Sequence, residues 1–88
     1  MFTTEILQTM VTAGGHIEVL RGPTAEYITV CRPDRTALLE GNLPREMLDD
    51  LLKQSYVRQV GNEDEKRVTT FRLTADGKKV GTKKQAQG

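Results

Sequence analysis

Across residues 44–54 the apolar side chains Met47, Leu48, Leu51 and Leu52 recur at the three-and-four spacing that gathers them on one face of a helix. Pro44 suits the first turn, where a missing N–H costs nothing, and Glu46 lies near the positive end of the helix dipole. The pattern then changes to that of strands. Residues 56–60 read as one strand, residues 61–65 as a polar turn, and residues 66–73 as a returning strand with Thr69, Phe71 and Leu73 on one side.

Earlier in the chain, Ile6, Leu7, Met10 and Val11 define a helix over residues 3–13, capped by Thr3 or Thr4 and stopped at Gly14 and Gly15. Residues 16–20 and 27–31 alternate apolar and polar positions around Gly22 and Pro23, which predicts a hairpin. Residues 34–40 are open to two readings: a helical turn capped by Asp34, or a strand. The concentration of Val, Ile and Tyr over residues 17–30 favours the strand. Thr74 caps a last helix running to Lys79 or Val80, and residues 81–88, with no apolar side chain but Ala, read as a disordered basic tail. The sum is one α+β domain over residues 1–80, with Leu7, Met10, Leu48, Leu51, Leu52, Val57, Phe71 and Leu73 in its core.

The stretch from Gly61 to Gly77 resembles the wing of winged-helix transcriptional regulators of the MarR and PadR kind, which close on a Leu-Thr-x-x-Gly pattern met here as Leu73, Thr74 and Gly77. The resemblance covers about half the chain and implies a small winged-helix-like domain, its hairpin forming the wing. An acid–base pair often steadies the wing in that family; here the counterparts are Asp64 with Lys66 or Glu65 with Arg67. Those regulators also carry long dimerisation helices, for which 88 residues leave no room. If residues 34–40 are helical, a helix-turn-helix results with residues 44–54 as its second helix; if they are strand, the hairpin at residues 16–31 takes the place of the usual middle helix.

The net charge of +1 conceals a division along the chain. Residues 1–57 hold five Lys/Arg against eight acids, a balance of −3, and residues 58–88 hold eight against four, a balance of +4. The basic half is where a phosphate backbone or an acidic partner would be met. No apolar run approaches the ~20 residues of a membrane span. With one cysteine and neither the basic nor the apolar part of a signal peptide at the start, the expected compartment is the cytoplasm.

Catalytic chemistry is poorly supplied. The chain has one Ser, one Cys and one His, namely Ser55, Cys31 and His16. No spacing in the sequence brings them together, so neither an enzyme nor a metal or cofactor site is expected. Asp49 and Asp50, adjacent on a helix, point apart and form no carboxylate pair. Binding remains, and two partners compete. For duplex DNA, the helix over residues 44–54 would read bases with Arg45, Lys53 and Gln54, while Lys66, Arg67, Arg72, Lys78 and Lys79 meet phosphate. For a partner protein, Glu46, Asp49 and Asp50 form the docking face, and a homodimer is a further option.

Overall fold

The first helix ends where its sequence says it should. In the computed structural model, which describes residues 3–39 and 42–83, α1 (Thr3–Ala13) is closed by Gly14 at φ +66°. The Gly15 and Gly14 amides return to the Met10 and Val11 carbonyls at 2.8 and 3.3 Å, the paired bonds of a Schellman cap. Thr3 and Thr4 lie inside this helix rather than before it. There follow β1 (His16–Arg21), β2 (Glu26–Cys31), α2 (Arg45–Lys53), β3 (Val57–Val60), β4 (Val68–Leu73) and α3 (Ala75–Lys83). The described residues form a small α+β fold of three helices and one antiparallel sheet, in strand order β2-β1-β4-β3.

Register assigns the two faces of the sheet. Ile17 lies opposite Val30 and Phe71, and Val19 opposite Ile28 and Thr69. These residues therefore share one face with Val57, Gln59 and Leu73. That face carries the core, packing Ile17, Val19, Ile28, Val30, Val57 and Phe71 against Ile6, Leu7 and Met10 of α1 and Leu48 and Leu51 of α2. The other face presents His16, Glu18, Leu20, Tyr27, Thr29, Cys31, Arg58, Val60, Val68, Thr70 and Arg72, opposite the one on which α1 and α2 pack among the described residues.

Several expectations shift in detail. Leu52 and Leu73 are half-buried at the border of the core rather than within it. Residues 32–39 form neither the expected helical turn nor a full strand: a turn held by the Asp34 carboxylate on Thr36 leads to a single bridge between Ala37 and Cys31. The amides of Leu38 and Leu43 then bond the Val30 and Ile28 carbonyls at 2.8 and 2.9 Å, closing the free edge of β2. The turn expected at Gly41 and the tail residues 84–88 lie outside the described residues.

The last helix corrects the boundary set at Gly81. Thr74 caps it as expected, its hydroxyl accepting the Gly77 amide at 3.0 Å and donating to the Ser55 carbonyl at 2.5 Å. The helix then continues through Lys83, because Gly81 is a packing residue and not a breaker. A Cβ there would stand 2.7 Å from the Leu7 carbonyl oxygen, and one at Gly77 would stand 2.0 Å from that of Tyr56. Two glycines one turn apart let α3 sit directly on the backbone of α1 and of the α2–β3 junction.

Candidate nucleic-acid interface

The β3–β4 turn is built by one carboxylate. Asp64 Oδ1 accepts the Lys66 and Val68 amides at 2.8 and 2.9 Å, and the Asp64 amide closes the hairpin on the Val68 carbonyl at 3.0 Å. The three-residue tip ends on Arg67 at φ +63°, the left-handed position such tips require. Asp64 thus serves the backbone, and neither expected acid–base pair forms. The side chains of Lys66 and Arg67 project from the tip, exposed and with no acid partner among the described residues.

The opposite end of the same hairpin carries two more free cations. Arg58 of β3 lies directly opposite Arg72 of β4 on the face away from α1 and α2, and neither has an ion-pair partner among the described residues. Like charges opposed across two strands destabilise a sheet. Beside Arg72 a cleft of about 310 Å³ opens at the end of the sheet, lined by Met10, Gly14, Gly15, Leu73, Lys78 and Thr82 among others. Its two charged lining residues, Arg72 and Lys78, are both positive. Lys79 is likewise exposed on α3.

Helix α2 is arranged differently. Arg45 donates through Nε to Asp49 at 3.0 Å and through Nη1 to both Glu26 oxygens at 3.2 Å. Across the sheet end, Arg21 pairs with Glu63 at 2.9 Å. Arg21, Glu26, Arg45 and Glu63 line a second cleft of about 200 Å³ between the β3–β4 hairpin and the start of α2, on the helix-covered face. A guanidinium engaged by two carboxylates is poorly placed to read a guanine edge. Lys53 and Gln54 are exposed at the far end of α2, where Ser55 at φ +62° closes the helix. Glu46 is exposed, Asp50 half-buried, and neither has a cation partner among the described residues.

The residues proposed from sequence thus divide into four places: Arg45 sits in the charged belt beside the β3–β4 hairpin, Lys53 and Gln54 at the far end of α2, Lys66 and Arg67 at the hairpin tip, and Arg72 with Lys78 at the opposite end of the sheet. Arg58 was missed by sequence reasoning. The sequence offered no clear signal for it, since strands at residues 56–60 and 66–73 closed at residues 61–65 set Arg58 opposite Val68, and the wider turn shifts the register to place it opposite Arg72.

A second departure concerns the chain's one His and one Cys. His16 and Cys31 are register partners across β1 and β2, at 4% and 3% exposure, although nothing in their spacing had suggested contact. His16 Nε2 donates to Glu18 at 2.7 Å, and Arg35 reaches across from its loop to hold both Glu18 oxygens at 2.9 and 3.3 Å. Burial works against the Glu18 charge, but the hydrogen bonds from Arg35 and His16 outweigh it and hold the carboxyl below its ordinary range. Burial, helped by the Glu18 charge, pushes the Cys31 thiol up.

The chain matches no protein-family model, no curated protein and no solved structure. Among the described residues no helix is long and apolar enough to cross a membrane.

Proposed function

We propose that this protein is a non-catalytic nucleic-acid-binding module that grips duplex DNA by its phosphates through the outer face and tip of the β3–β4 hairpin. The observation that carries the reading is the Arg58–Arg72 opposition, a repulsive pair that no acid among the described residues relieves. An external polyanion relieves it. From Arg67 to Arg72 the chain covers roughly 16 Å at about 3.3 Å per residue, so the two cationic ends are far enough apart to meet different phosphates of one duplex. Lys66 and Arg67 hold one end of that track, and Arg58, Arg72 and Lys78 the other.

The element order supports a winged-helix relationship: α1, β1, α2 and the β3–β4 hairpin follow in that order, with β2 where the middle helix would stand. The role of α2 differs from that of a reading helix, because its first arginine is occupied and its exposed acids repel phosphate. Binding is therefore largely indifferent to base sequence. Titration of unrelated labelled duplexes should give dissociation constants in the range of about 10⁻⁴–10⁻⁶ M at physiological salt, similar for every sequence. Absence of binding at such concentrations would remove the reading.

A second reading rests on Glu46 and Asp50, acids without cation partners among the described residues, which together with Asp49 would meet a basic patch on a partner protein. Reversing Glu46 and Asp50 to Lys separates the two: it abolishes a protein complex, whereas it strengthens attachment to DNA.

A further inference from the structure

The cluster of His16, Glu18 and Cys31 has no part in phosphate binding, and its chemistry is of a different kind. One ligand-type atom from each of the three side chains lies within 4.8 Å of the other two. Hairpin geometry brings this about: His16 and Cys31 face each other across β1 and β2, and Glu18 follows His16 by two residues on the same side of the sheet. His16 and Cys31 are buried, and Glu18 keeps only 15% of its side-chain exposure. His16 also brings an unresolved polar atom. Its Nδ1 is buried and has no hydrogen-bond partner among the described residues. Such an atom is uncommon in a native interior, but the ring nitrogen that faces Glu18, and with it any shared cation, is Nε2.

We infer that His16, Glu18 and Cys31 form a binding site for a zinc-class divalent cation, with one ring nitrogen, one carboxylate oxygen and one thiolate as ligands. Nitrogen, oxygen and sulfur in one set suit zinc, which accepts all three in four-coordinate sites. Ligand atoms around a tetrahedral zinc lie roughly 3.3–3.8 Å apart for bonds of about 2.0–2.3 Å. The three side chains need only draw together from their 4.8 Å limit, while the 2.7 Å contact between His16 and Glu18 opens by about half an ångström. Arg35 supports the arrangement from outside, its guanidinium holding Glu18 ionised and oriented. Binding replaces the Cys31 thiol proton, which passes to solvent, so affinity falls as pH is lowered. Three protein ligands leave a fourth position for water.

Cobalt(II) titration of the full, tag-free chain tests this directly, because Cys31 is the chain's one thiol. The expected result is one cobalt per chain, with the visible bands of four-coordinate cobalt and a thiolate-to-cobalt charge-transfer band, all displaced by zinc. Cys31→Ser should lose the charge-transfer band, and Glu18→Gln should weaken binding by about 10- to 100-fold. Far-UV circular dichroism of each variant confirms that it folds. If the wild-type chain shows only the weak spectrum of six-coordinate aquo cobalt under excess metal, there is no site. The wild-type spectrum decides the matter even if a variant fails to fold. Charge transfer persisting in Cys31→Ser would equally overturn the assignment.

Discussion

Replacing Gly77 by Ala sets two effects against each other, and the structure says which wins. In an exposed helix interior the change would stabilise by about 1 kcal/mol, from helix propensity alone. Here the new Cβ would stand 2.0 Å from the Tyr56 carbonyl oxygen, where ordinary contact begins at 3.4 Å. Helix α3 must retreat by the difference, 1.4 Å. That retreat pulls on the two bonds that fix its start, from the Thr74 amide to Tyr56 at 3.0 Å and from the Thr74 hydroxyl to Ser55 at 2.5 Å. Two hydrogen bonds at about 0.5–1.5 kcal/mol each, together with about 1–3 kcal/mol of overpacking strain, exceed the propensity gain. The net loss should be about 1–5 kcal/mol, measurable as a lower urea midpoint by circular dichroism. Gly61→Ala is the control, since nothing stands within 4 Å of its Cβ and only its positive φ opposes the change. A Gly77→Ala protein as stable as the wild type would refute the packing role of this glycine.

Two further perturbations test the core and the outer face. Leu51 is fully buried between α2 and the sheet, so Leu51→Ala should cost about 2–5 kcal/mol in the same urea assay, and a loss below about 1 kcal/mol would misplace the buried face of α2. Glu18 has its carboxyl held below the ordinary value of 4.5 in the folded chain. Its contribution is therefore present above that value and lost as pH falls through the folded one. The urea midpoint of the wild type should drop more steeply below pH 4.5 than that of Glu18→Gln; parallel curves would show that the Arg35 and His16 contacts do not form in solution.

Much of the fold was legible because local pattern and tertiary structure agree. Periodicity and the two glycines bounded α1, and alternation found both hairpins to within a residue or two. What escaped depended on neighbours distant in sequence. Gly77 and Gly81 read as a motif element and a helix stop, yet their meaning lies in the Tyr56 and Leu7 carbonyls they approach. Arg45 read as a free base-reading side chain because Glu26, nineteen residues away, joins it only through the fold. The His16–Cys31 pairing was within reach: limits of 16–20 and 27–31, closed symmetrically, already set those two residues opposite one another. It went unread because Gly22 and Pro23 suggested a turn without specifying its register.

The proposed function turns on whether the free cations of the β3–β4 hairpin act as phosphate contacts. The decisive measurement is the salt dependence of duplex binding for the wild type, for Arg58→Ala/Arg72→Ala and for Lys66→Ala/Arg67→Ala, followed by anisotropy. Each phosphate contact contributes about 0.9 to the slope of log affinity against log salt, so each double variant should lower the slope by up to about 1.8 and weaken binding to all sequences alike. Arg45→Ala, whose guanidinium is held by Glu26 and Asp49, should leave the slope unchanged. Slopes that stay equal in both double variants, or a wild type that binds no duplex even at about 10⁻⁴ M protein, would contradict the account.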